Sequence, residues 1–78
     1  METIRLLLVD DEDDFRRTVA KRLMKRGIDV KQAASGEECL EILKNDPVDV
    51  VVLDVKMPGM DGIETLHRIK KNHPEIEV

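Results

Sequence analysis

Short aliphatic runs alternate along this chain with stretches in which apolar residues recur every three or four positions. Ile4 to Val9 is apolar except for Arg5. Its length, and the acidic cluster behind it, predict a buried parallel strand rather than a helix. Phe15, Val19, Leu23 and Met24 then recur at helical spacing, with Arg16, Arg17, Lys21, Arg22, Lys25 and Arg26 around them. This predicts an amphipathic helix with acids at its start and bases at its end, as the macrodipole prefers. Glu12/Arg16 and Asp13/Arg17 stand at i,i+4 and add a little support. Gly27 is the natural stop.

Ile28, Val30, Gln32 and Ala34 alternate with Asp29, Lys31 and Ala33, which predicts a second, less buried strand. Ser35 and Glu38 fit a capping box ahead of a helix marked by Cys39, Leu40, Ile42 and Leu43. Asn45-Asp46-Pro47 ends it. Val48 to Leu53 predicts a third strand: five of its six residues are aliphatic, and Asp49 stands near its start. Met57 to Gly62 is dense in turn signals. A third helix follows through Ile63, Leu66 and Ile69, and stops at Asn72-His73-Pro74. Ile76-Glu77-Val78 reads as the opening of a fourth strand. The order β-α-β-α-β-α-β implies a parallel sheet with right-handed crossovers and helices on its faces.

Composition narrows the function classes. Lys and Arg number 13 against 17 Asp and Glu, a net charge of −4, so the segment lacks the basic excess that phosphate backbones require. No apolar run approaches the ~20 residues of a membrane span. Met1-Glu2-Thr3-Ile4-Arg5 carries no signal-peptide pattern, and the expected compartment is the cytoplasm. Cys39 is the only cysteine and reads as a small reduced core residue. Phe15 is the only aromatic. A chain of 78 residues hides only about 60% of its unfolded surface, so the core is thin.

The chemistry gathers at strand ends, where open α/β sheets form their sites. Asp10 and Asp11 follow the first strand, and Asp54 follows the third. If those strands are neighbours, three carboxylates converge, and a divalent cation relieves their repulsion. Mg²⁺ suits carboxylate oxygens, waters and a substrate phosphate. A carboxylate beside bound Mg²⁺ is also a competent nucleophile toward phosphorus. As plain structure, Asp10 to Asp14 would be acids at a helix start and Asp54 a strand-end turn residue. The run is not an EF-hand loop, because Phe15 stands where that loop needs Gly.

Leu6-Leu7-Leu8-Val9-Asp10-Asp11, Val50-Val51-Val52-Leu53-Asp54 and Lys56-Met57-Pro58-Gly59-Met60-Asp61-Gly62 together resemble the receiver domain of bacterial two-component response regulators. The resemblance implies a three-layer, flavodoxin-like fold with strand order 2-1-3-4-5. It implies phosphorylation of Asp54 by a partner histidine kinase or histidine phosphotransfer protein. It implies direct Mg²⁺ ligation by Asp11, Asp54 and the backbone carbonyl of Lys56, with Asp10 acting mainly through a metal-bound water. The first helix would also contact the kinase. The match covers about the first two thirds of such a domain and stops in the fourth strand. The family's Ser/Thr after that strand, and its Lys after the fifth, have no counterpart among these residues.

The expected function is therefore a phospho-accepting signalling module rather than an enzyme. A half-domain that binds a partner or itself without signalling is the alternative, and self-association through the unfinished sheet edge is the assembly it implies. A Mg²⁺-dependent phosphatase fits less well, because Lys56 stands where such enzymes carry a second acid. No P-loop sequence is present. The basic face of the first helix, Met57, Met60, His67 and His73 read as surface or packing residues.

Overall fold

A computed structural model describes residues 3–54 and 62–78. Its elements are β1 (Arg5–Val9), α1 (Asp13–Lys25), β2 (Asp29–Ala33), α2 (Gly36–Asn45), β3 (Val50–Leu53) and α3 (Gly62–Asn72). The sheet has the order β2-β1-β3, with both pairs parallel. The chain's first strand is thus the middle one, and four of its five residues are buried. Ile76-Glu77-Val78 supplies a single parallel bridge, Val50 to Glu77, on the outer side of β3. There the Val51 N–H donates to the Glu77 carbonyl at 2.7 Å.

Alternation along the strands divides the core between two faces. Leu7, Val9, Ala33 and Val51 face Cys39 and Leu43 of α2 and Ile69 of α3, and Ile76 seals the same cluster. Leu6 and Leu8 face the other way, onto Ala20, Val19 and Leu23 of α1. One face is therefore covered by two helices and the other by one. Cys39 is fully buried, and burial pushes its thiol up to about 11, which keeps it protonated and inert.

Local signals explain the element ends. At the exit of α1 the Gly27 N–H donates to the Met24 carbonyl and the Ile28 N–H to the Leu23 carbonyl. This is the paired pattern of a Schellman motif, and Gly27 meets its left-handed requirement with φ 84°. At the entry of α2, the Ser35 hydroxyl accepts from the Glu38 N–H at 3.1 Å. The Glu38 carboxylate returns to the N–H of Ala34, one residue before the cap. At the entry of the β1–β3 ladder, Arg5 grips both carboxylate oxygens of Asp49, with Nη2 3.0 Å from Oδ1 and Nε 3.2 Å from Oδ2. The Arg5 N–H donates to Asp49 as well. Asp49 is thereby committed to a staple between strands, and β3 begins after it, at Val50 rather than Val48.

Two expectations shift. Phe15 and Met24, placed by spacing on the apolar stripe of α1, are 56% and 48% exposed. The buried residues of that helix are Arg16 and Ala20. Ala20 lets the helix lie close to Leu6 and Leu8, which turns the contacting stripe toward Arg16, Ala20 and Leu23. In β2 the residue sealed into the core is Ala33, not Ala34.

Candidate functional site

The register of the sheet positions the site. Val9 lies level with Ala33 and with Leu53, so all three strands finish at one edge. The ladder runs one residue further on each side. The Asp10 N–H donates to the Ala33 carbonyl at 3.1 Å, and the Asp54 N–H donates to the Val9 carbonyl at 3.0 Å. Main-chain hydrogen bonds therefore hold the start of the β1–α1 loop and the exit of β3 beside each other. Carboxylate oxygens of Asp10, Asp11 and Asp54 all lie within 4.8 Å of one another. Asp10 and Asp54 are half-buried and Asp11 is exposed. Like charges this close repel by roughly 1 kcal/mol per pair in water, and by several times that where the dielectric falls.

The donor set is all hard oxygen. Carboxylate oxygens within 4.8 Å of one another are close enough to share one Mg²⁺ ion, with waters filling the rest of its shell. One oxygen of Asp10 is already engaged, accepting the Glu12 N–H at 2.9 Å in a tight Asx turn. Lys56, expected to supply a backbone carbonyl, lies outside the described residues, as do Met57 to Asp61 of the loop that follows Asp54.

Arg16 is the residue that sequence reasoning misplaced. Read as part of a solvated basic face, it is 7% exposed. Its Nη1 donates to the Asp10 carbonyl at 2.7 Å and its Nε to Gln32 Oε1 at 3.1 Å. Its ion-pair partner is Asp13, at 2.8 Å, rather than Glu12. The available signal was its spacing: Arg16, Ala20 and Leu23 form an i, i+4, i+7 stripe, and an Arg at the end of such a stripe can reach acceptors in the preceding loop.

Beside the carboxylates opens a cavity of about 460 Å³, lined by Asp10, Glu12 and Asp54 at its rim and by Phe15, Val19 and Val52 along its wall. Phe15, exposed, borders this opening on the face that one helix covers. His67 is exposed, and His73 is partly exposed with Nδ1 3.9 Å from Glu75. Among the described residues, no helix is long and apolar enough to cross a membrane.

Comparison with known proteins bears on these features. Residues 6–78 match the sequence profile of the response regulator receiver domain. The sensor kinase CckA of Brucella abortus (strain 2308) is 47% identical over 74 residues, which are 92% of this chain and 8% of that protein. The response regulator TrrA of Thermotoga maritima, solved in complex with Mg²⁺-BeF, superposes with a TM-score of 0.87 at 35% identity. That match covers 92% of this chain and 63% of TrrA. TrrA in complex with the histidine kinase ThkA gives a TM-score of 0.89 at 34% identity, over 95% of this chain and 64% of that one. The chain thus spans less than two thirds of each of these relatives.

Proposed function

The chain belongs to the response regulator receiver domain family, and from that premise we propose that it accepts a phosphoryl group on Asp54 in a two-component signalling pathway. The observation that carries this reading is the gathering of Asp10, Asp11 and Asp54 at the shared edge of β1 and β3. Asp54 is the nucleophile: a carboxylate oxygen forms a bond to phosphorus, and the donor's phosphorus–nitrogen bond breaks, returning its electron pair to the imidazole. Asp11 and Asp54 would hold Mg²⁺ directly and Asp10 through water, with the Lys56 carbonyl as a further protein ligand. The chemistry the ion would supply there is neutralisation of charge on the transferring phosphoryl group. The main-chain bonds at Asp10 and Asp54 keep the carboxylates aimed at one point before any ligand arrives.

The donor is a phosphohistidine on a histidine kinase or phosphotransfer protein, and the compartment proposed with it is the cytoplasm. The kinase complex of TrrA, a structural relative, supports that partner class. Incubation with a small phosphoryl donor and Mg²⁺, followed by intact-mass analysis, tests the reading. One added phosphate in the wild type and none in Asp54→Asn is the expected result. Modification that persists in Asp54→Asn overturns the assignment of the acceptor.

A further inference from the structure

We propose that Arg16 is a positioning residue for the acidic site, its buried guanidinium fixing the path of the chain through Asp10 and Asp11. The inference rests on the reading of that site as a Mg²⁺-binding phosphoryl acceptor. A guanidinium taken out of water is costly unless its charge is paired and its donors are used. Here Asp13 supplies the countercharge, Gln32 takes Nε, and the Asp10 carbonyl takes Nη1. Of these contacts, the one at 2.7 Å bears on function. The Asp10 carbonyl belongs to the planar peptide that joins Asp10 to Asp11, so holding its oxygen fixes the plane from which Asp11 departs. The other side of Asp10 is held by its N–H bond to Ala33, and its carboxylate is held by the Glu12 N–H. β2, α1 and the loop itself therefore each restrain this one residue. Asp11, exposed and with less around it, inherits its direction from that frame.

Mg²⁺ demands near-ideal geometry, so a loosened frame lowers affinity even with every ligand in place. The sign of the effect separates this role from a field effect. A positive charge near a cation site opposes binding, so if Arg16 acted only through its charge, removing it would tighten Mg²⁺. If it acted only as a staple between α1 and β2, removing it would lower the melting temperature and leave the affinity of the folded protein unchanged.

The test is Mg²⁺ titration of the 78-residue chain, followed by backbone amide NMR at Asp10, Asp11 and Asp54. Arg16→Met is expected to retain a dispersed spectrum and to bind Mg²⁺ about tenfold more weakly or worse. If that variant does not fold, Arg16→Lys carries the test. Its ammonium keeps the charge but replaces a three-way fork with a point donor, and a loss of about threefold or more is expected. Unchanged or tighter binding in a folded variant overturns the role of Arg16 alone. Wild-type amides that ignore Mg²⁺ overturn the metal reading itself, and this inference with it.

Discussion

The two ends of the β1–β3 ladder treat aspartate in opposite ways. At the entry, Asp49 meets Arg5 in a two-point ion pair, and those hydrogen bonds hold its carboxyl below the ordinary value of 3.8. At the exit, Asp10, Asp11 and Asp54 face one another. Arg16 lies behind them, but its charge is spent on Asp13 and its donors on main chain and amide. The same strands thus carry a satisfied carboxylate at one end and a concentration of like charge at the other. An aspartate with a matched guanidinium is a staple. Aspartates whose carboxylate oxygens lie within 4.8 Å of one another concentrate negative charge, an arrangement of hard oxygens that suits a cation.

Breaking that contrast takes perturbations of both ends. The largest expected effect is the complete loss of phosphoryl incorporation in Asp54→Asn, read by intact mass, while Asp49→Asn incorporates as the wild type does. Asp11→Asn is expected to weaken Mg²⁺ by tenfold or more in calorimetric titration, since a lost carboxylate ligand exceeds the usual outer-shell effect. Equal affinity in that variant would remove the distinction between the ends. Mg²⁺ at ten times its dissociation constant should stabilise the wild type by about 1.4 kcal/mol in chemical denaturation, and a chelator should reverse the gain. The smallest effect belongs to the staple, whose partners are both exposed at the surface. Asp49 contributes stability that is present above pH 3.8 and is lost as the pH falls through its depressed folded-state value. The melting midpoints of wild type and Asp49→Asn should therefore differ slightly at pH 7 and converge in acid. A gap that widens in acid would contradict the ion pair.

Much of this was legible before any coordinates. Aliphatic runs as short as Val50 to Leu53 betray strands, even where one residue, Val52, stays exposed, and the Ser35/Glu38 spacing and Gly27 mark helix ends through backbone chemistry that neighbours do not override. The convergence of Asp10, Asp11 and Asp54 followed from one condition, that the first and third strands adjoin, and they do. What periodicity could not settle was the rotation of α1 about its axis. Phe15 and Arg16 are consecutive, so a turn of about one residue exchanges which of them meets the sheet. That choice depends on the close approach at Ala20 and on acceptors at Asp10 and Gln32, contributed by other segments. The fourth strand was visible only as a tendency, and Glu77 gives it the extent of one bridge.

The central position of β1 also bears on how the molecule comes into being. Arg5 pairs with Asp29 and Leu6 with Val50, so both neighbours of the first strand are separated from it by a whole crossover. Such pairings lie far apart in sequence, and each must recover the entropy of closing its loop before it contributes. During synthesis Leu6, Leu7, Leu8 and Val9 leave the ribosome before either neighbouring strand and have no partner in the sheet until β2 follows. Their second edge stays bare until Val50 to Leu53 arrive. The segment that becomes the most protected part of the sheet is therefore the one exposed longest to aggregation and chaperone capture while the chain is being made.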